Sequence, residues 1–414
     1  VQALDDASPM TPIAYPDVVH AVRTDRFEDW PSNGIQAPRD LLGLRAVEES
    51  GVETLRLAIT DDRPTRNRNP LSVTFRNQGL VTGLLYEPLA RWSNGGIEPR
   101  LARNWEWQDR DGGSRLTLSL VDARWHDDEP VTPEDVAFTY RFVADTSLGA
   151  ADEPVPAPGF RGQSELVESV SITDDRTIAI DISASRPVAR RALTIPILPQ
   201  HVWESRSGPA DVAGMELFGS ATEALRWDNP APVGSGPLAF ESAEPRTGLT
   251  LSRFDDHFGE TLAFERLRFR VAPSDASAIE LVGADEVDAT GPVTASYVSR
   301  IARNGEITLI AGTTRDVYHV GYNLREPPLD DAAFRRSVGT LIDRRDVVDR
   351  VFDGFASPAR SILPPDWSPT ATALGDEGSP TLFENRPGDL DVDAAREAFR
   401  DAGYQYRDGV LLAN

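Results

Sequence analysis

No cysteine occurs anywhere in the 414 residues, so this chain folds without disulfides and without thiolate-bound metal. Burial of apolar side chains and pairing of polar ones must hold it together. The length allows two or three domains with sizeable cores, and 40% of the residues are hydrophobic. Apolar runs are too short to cross a bilayer. Iron–sulfur clusters and thiol catalysis are excluded within these residues on the same ground as disulfides. Val1 to Met10 carry neither the basic nor the apolar stretch of a secretory leader.

Charge narrows the reading further. Aspartate and glutamate total 66 against 42 basic residues, a formal charge of -24, and every basic residue is arginine. Such a field repels nucleic-acid phosphates and argues against a DNA- or RNA-binding role. The carboxylates are spread along the chain rather than gathered. We read them as a surface adapted to high salt, in the manner of a salt-loving organism, and not as a cation site.

Alternation over Thr54–Ile59 predicts a strand that opens a new unit after the linker-like Glu48-Glu49-Ser50-Gly51. Further strands are expected at 116–120, Val167–Ile172, Thr177–Ile182, 250–254, 267–271, 307–311 and 317–324, with a hairpin turn at Asp174-Asp175. Thr132-Pro133-Glu134-Asp135 supplies a cap hydroxyl, a first-turn proline and two first-turn acids, so a helix starts there. Val136, Phe138, Tyr140 and Phe142 follow, and this helix is expected to bury more than one face. Asp330 or Asp331 caps another helix, whose apolar positions are Phe334, Val338, Leu341 and Ile342. Asp343 opens the next, with Val347, Val348, Val351 and Phe352 before a stop at Gly354. A last helix runs from Asp393 through Ala395 and Phe399 to Gly403. Strands and helices mix without strict alternation, so the class is α/β or α+β, with mixed sheets in more than one lobe.

Candidate chemistry is sparse. His20, His126, His201, His257 and His319 are far apart in sequence and none has a metal-binding spacing. Trp125-His126-Asp127-Asp128-Glu129 is the densest polar cluster, and a turn before a capped helix explains it. Gly234-Ser235-Gly236-Pro237 lacks the lysine of a phosphate loop and the spacing of a serine elbow, and reads as a tight glycine turn. No catalytic residue, metal ligand or cofactor is assigned. The chain is not read as an enzyme.

Several segments carry a resemblance when taken in order. They are Leu84-Leu85-Tyr86-Glu87-Pro88-Leu89, Glu98-Pro99-Arg100-Leu101-Ala102-Arg103-Asn104-Trp105 and Ala123-Arg124-Trp125-His126-Asp127. After these come 130–138, Asn229-Pro230, Val233-Gly234-Ser235-Gly236-Pro237, and Gly321-Tyr322-Asn323 with Pro327-Pro328-Leu329-Asp330-Asp331 and Phe334-Arg335. Together they resemble the peptide/nickel-type family of extracellular solute-binding proteins, the oligopeptide- and dipeptide-binding components of ABC importers. Asp128 stands where that family usually has glycine, and Leu238 where an aromatic residue is common. Residues 11–45, with Ala21-Val22-Arg23-Thr24-Asp25-Arg26-Phe27-Glu28-Asp29-Trp30 and Leu41-Leu42-Gly43-Leu44-Arg45, resemble the family's C-terminal end although they come first here.

The resemblance implies a two-lobed periplasmic-binding-protein-like fold with mixed sheets. Residues 1–50 would be the C-terminal-like segment of the first lobe plus a linker, and 51–270 the first lobe with an inserted subdomain. Residues 271–414 would be the start of a second, truncated lobe. This order suggests a piece of a longer or tandem protein, or a permuted chain. The implied function is capture of a peptide-like solute in an interlobe cleft that closes by hinge motion, and delivery to ABC permease and ATPase subunits. The implied place is outside the cell at its surface, with any membrane association through a lipid anchor or partner beyond these residues. A ligand sensor or assembly module on the same fold is the alternative. Asn69, Asn77, Gln78, Tyr86, Tyr322 and Asn323 are the positions the resemblance puts near the ligand.

Overall fold

The computed structural model describes residues 7–35, 37, 39–48, 51–72, 81–93, 96–210, 221–259, 262–298, 305, 307–314, 316–359 and 392–412. The chain divides into two compact units, each made of discontinuous stretches. The larger comprises Arg23–Trp30 and Ala37–Gly291, and the smaller Val1–Val22, Pro31–Gln36 and Pro292–Asn414.

In the larger unit the predicted strand Thr54–Ile59 lies inside a sheet. The order is Leu238–Glu244, Gly248–Arg253, Arg266–Val271, Thr54–Ile59, Ala289–Thr290. The first three strands are antiparallel to one another, and Thr54–Ile59 is parallel to both of its neighbours. Alternation sends Leu55, Leu57, Leu249, Leu251, Leu267 and Phe269 to one buried face. A second sheet, fully antiparallel, has the order Ala102–Arg110, Gly113–Leu120, Thr177–Ile182, Val167–Ile172. The hairpin expected at Asp174-Asp175 joins its last two strands, and the boundaries are those read from the sequence. The strand expected at 116–120 begins earlier, at Gly113, because the tight turn at Gly112 (φ +80°) lets pairing start at once.

The capped helix is Pro133–Ala144. Asp135 accepts the Thr132 N–H and hydroxyl, both at 2.9 Å, and its other oxygen accepts the Gln200 N–H at 2.9 Å. Val136, Phe138, Thr139, Tyr140, Phe142 and Val143 are buried, so the helix is covered on more than one side, as expected. Phe138 stacks on Phe142 with centroids 4.9 Å apart, and the Tyr140 hydroxyl donates to the Ala192 carbonyl at 3.0 Å.

The Gly234-Ser235-Gly236 turn is a point of close backbone approach. A Cβ on Gly234 would stand 1.8 Å from the Leu85 carbonyl oxygen, and one on Gly236 2.1 Å from that of Leu84. The Gly236 N–H donates to the Leu85 oxygen at 2.9 Å. Before the capped helix, Asp128 sits at φ +70°, in the left-handed region that glycine adopts most readily.

The smaller unit is organised by a long strand, Met10–Val22. It pairs antiparallel with Thr308–Thr313, with Tyr318–Gly321 and with Ala356–Pro358. Period-two reasoning missed it, because Pro12 and Pro16 interrupt the run and its burial does not alternate. The strand expected over 317–324 ends at Gly321, since the Asn323 side chain accepts the Arg325 N–H and turns the chain. Asp331, rather than Asp330, caps Ala332–Thr340, and Asp343 caps Arg344–Val351. Helix Val392–Asp401 meets Ala332–Thr340 through Phe334 and Phe399, 5.3 Å between centroids.

Gly236→Ala is expected to lower stability by more than about 2 kcal/mol, through forced backbone displacement, while Gly159→Ala, whose Cβ meets open space, stays within about 0.5 kcal/mol. Urea unfolding of both variants, followed by circular dichroism, checks this.

Candidate functional site

Of the six positions expected near a ligand, Asn69 and Tyr86 lie in the larger unit and Tyr322 and Asn323 in the smaller. Asn77 and Gln78 lie outside the described residues.

Asn69 is buried, and its side-chain groups are engaged internally. Its amide donates to the carbonyls of Ala224 (2.7 Å) and Trp227 (2.6 Å), and its oxygen accepts the Leu71 N–H at 2.7 Å. Tyr86 is equally buried, and its hydroxyl accepts from the Asn229 amide at 2.7 Å. Burial pushes that hydroxyl's pKa up, with the Asn229 bond and the nearby Arg68 charge opposing. The same Asn229 amide reaches the Arg68 carbonyl at 3.4 Å, so Asn69 and Tyr86 belong to one buried polar cluster. Arg68 spreads its guanidinium over Phe240, 4.9 Å from the ring centroid, and donates to the carbonyls of Pro64 and Pro230. Burial pulls its pKa down.

In the smaller unit the Tyr322 hydroxyl is 2.6 Å from the Thr11 hydroxyl, and its N–H donates to the Pro9 carbonyl. Asn323 is exposed.

Beside Tyr86 lies a group that sequence reasoning passed over. Glu87 has no exposed surface, yet it is ionised. Arg91 Nη2 and Arg100 Nε each reach one carboxylate oxygen at 2.9 Å, Arg100 Nη2 reaches the other, and His257 Nε2 stands 3.4 Å from it. Burial opposes the charge, but His257, Arg100 and Arg91 outweigh it and hold the pKa at about 2. His257 Nδ1 accepts the Gly259 N–H at 3.2 Å, so Nε2 is the ring nitrogen that turns its N–H towards Glu87. The only signal in the sequence is an acid held between Tyr86 and Pro88.

His126 is neutral. Its Nδ1 accepts the Gly234 N–H at 3.2 Å and its Nε2–H donates to the Gly236 carbonyl at 3.0 Å, so the ring spans the glycine turn. Burial lowers its pKa to about 4, against the hydrogen bond to the Gly236 carbonyl. The cluster 125–129 is thus a turn, closed by Trp125 N–H to the Glu129 carbonyl at 2.8 Å. Among the described residues no group of three His, Asp or Glu side chains is placed to hold a metal ion. What these groups can do is orient backbone and side chains by hydrogen bonding. Nothing in them pairs a nucleophile with a base.

Two acid-sensitive steps follow. His126, lowered from 6.5 to about 4, contributes fully above 6.5 and loses its contribution as pH falls from 6.5 towards 4. That gap corresponds to roughly 3 kcal/mol. Glu87, lowered from 4.5 to about 2, loses its contribution as pH falls below 4.5. His126→Gln should flatten the upper step in a melting-temperature series against pH. Glu87→Gln should cost roughly 3 kcal/mol at neutral pH, by leaving two mostly buried arginines without their counter-charge.

The family model for bacterial extracellular solute-binding proteins, family 5 (middle region), matches residues 96–413. A Brucella ovis protein named for ABC-transporter peptide binding is 26% identical over 303 residues, covering 72% of this chain and 53% of that protein. The dipeptide-binding protein of Escherichia coli is 22% identical, over 68% of this chain and 52% of its own. Among solved structures, NikZ of Campylobacter jejuni in complex with Ni(L-His) superposes with a TM-score of 0.65 at 18% identity, covering 87% of this chain and 66% of that one. An oligopeptide-binding protein of Thermotoga maritima gives 0.64 at 22%, covering 87% and 64%. The fold is therefore the two-lobed, mixed α/β, periplasmic-binding-protein-like fold, with open sheets. The chain spans about half the length of the curated relatives it matches.

Proposed function

Because the chain belongs to the bacterial extracellular solute-binding proteins of family 5, we propose that it captures a peptide-like solute outside the cytoplasm and delivers it to an ABC permease driven by partner ATPase subunits. The observation that carries this is the family match over residues 96–413, together with a fold shared with solute-binding proteins. The binding protein itself breaks no bond. A ligand that prefers the closed arrangement of two lobes shifts the population towards it, and the difference in affinity between open and closed forms supplies the whole effect.

In this reading the larger unit carries the first lobe and the smaller unit part of the second. Asn323, exposed, is the side chain best able to meet a ligand directly, with Asn77, Gln78 and the Tyr322 hydroxyl beside it in role. Asn69 and Tyr86 act at one remove, fixing the wall through Ala224, Trp227 and Asn229. Retention at the cell surface would come from a lipid anchor or from the permease.

A thermal-shift screen in high salt tests the proposal, with di- to octapeptides, nickel–histidine and mannohexaose as probes. The last two are taken from ligands named with structural neighbours. A peptide present at a hundredfold excess over its Kd should add roughly 2.7 kcal/mol of stability. A response only to nickel–histidine or the sugar, or to nothing, would remove the peptide assignment. With a peptide in hand, Asn323→Ala should weaken binding by about 1 kcal/mol, the contribution of one hydrogen bond, measured by calorimetry.

A further inference from the structure

Two of the places where the chain passes between units, after Val22 and after Gly291, are flanked in the larger unit by a knot of arginine and aspartate. Arg23 is the first residue beyond one crossing, and Asp288 stands three residues before the other. Asp288 has no exposed surface. One carboxylate oxygen accepts the main-chain N–H of Arg56 at 2.8 Å and its Nε at 3.2 Å, while the other accepts Arg56 Nη2 at 2.7 Å. Arg26 Nε lies 2.8 Å from the same carboxylate. The main chain is tied as well. The Arg23 N–H donates to the Asp288 carbonyl and the Asp288 N–H to the Arg56 carbonyl, both at 2.8 Å.

A second layer surrounds the first. Asp285, in the left-handed region at φ +57°, takes Arg56 on both its carbonyl and its carboxylate at 2.9 Å. Arg23 is bound through two nitrogens by Asp25, at 2.7 and 3.0 Å, and lies 3.7 Å from Asp285. The Trp30 indole N–H closes the 23–30 excursion on the carbonyls of Arg23 (2.9 Å) and Phe27 (3.0 Å). Beyond Asp288, the Gly291 N–H donates to the Ala58 carbonyl at 2.6 Å. The 285–291 segment is thus fastened directly to the strand Thr54–Ile59, and the 23–30 segment is fastened to it through Asp288.

A buried carboxylate with this many donors resists displacement far more than a backbone hydrogen bond does, because letting go leaves charge uncompensated on both sides. Bonds this close to the crossings leave few residues free to absorb a rotation.

We propose that Arg23, Arg26, Arg56, Asp285 and Asp288 form an ionic anchor for an interlobe hinge, holding both crossing segments rigid on the side of the larger unit and confining motion to the residues just past them. This rests on the binding-protein reading, and the five are positioning residues rather than ligand contacts. The anchor gives ligand capture a fixed pivot, so that closure orders few additional dihedrals.

The absence of cysteine makes the test direct. Ser171→Cys in the larger unit and Asp349→Cys in the smaller, both at exposed positions, give a unique label pair on the full chain. Single-molecule energy transfer is then recorded without ligand for this parent and for the added change Asp288→Asn. The expected result is a broadened distance distribution. In hydrogen exchange, the Arg23 amide should lose protection roughly tenfold while the Leu57 and Leu267 amides keep theirs. Arg26→Gln, a milder change should Asp288→Asn fail to fold, gives the same pattern at smaller amplitude. An unchanged distribution, or loss of protection equal at Leu57 and Arg23, overturns the anchor. Since no ligand is used, a failed peptide screen removes the functional reading without touching this measurement.

Discussion

A single ionised carboxylate with no exposed surface, that of Glu87, ties together the parts of the larger unit that sequence keeps apart. Arg91 comes from one strand of a hairpin, Arg100 from just past the other, and His257 from a turn far along the chain. The Glu87 main chain is used as well, its carbonyl accepting the Ile197 N–H at 3.0 Å and its N–H lying 3.4 Å from the Ser235 hydroxyl. Without the carboxylate, arginines already mostly buried would have no counter-charge, and the glycine turn that rests on Leu84 and Leu85 would lose its neighbour. The charge is tolerable only because every partner is in place.

Interactions that span few residues were the legible ones. Thr132-Pro133-Glu134-Asp135 declares its helix because cap, proline and first-turn acids act within four positions. Val167–Ile172 and Thr177–Ile182 declare their hairpin because the turn residues sit between two β-rich runs. Met10–Val22 is not legible as a strand, since two prolines interrupt it and its place depends on partners some 300 residues away. Helix Asp275–Gly283 is missing from the sequence reading, although Ser274 caps it and Ala278, Ile279 and Val282 are buried along it.

The candidate site was legible in part, for the same physical reason. The resemblance pointed to Asn69 and Tyr86, but not to the use that Ala224, Trp227 and Asn229 make of them, because that depends on which loop arrives beside them. The role of Glu87 and of Asp288 is a matter of three or four partners converging, and no window along the chain contains them together. The glycine turn was recognised as a turn. That its two glycines are there for the carbonyls of Leu84 and Leu85 needed the fold.

Asp135 has one more consequence, and it concerns time. The helix it opens is complete well before the Gln200 N–H that its second oxygen accepts, 65 residues further on, has been made. At about 5–20 residues per second, a ribosome takes roughly 3–13 s to add that stretch. Until then the Thr132 cap is the one partner of Asp135 already made, and Phe142 has no Trp203 to pack against, so a helix of this length is marginal by itself. One oxygen of the carboxylate is satisfied within four residues, the other only by a segment that is synthesised seconds later.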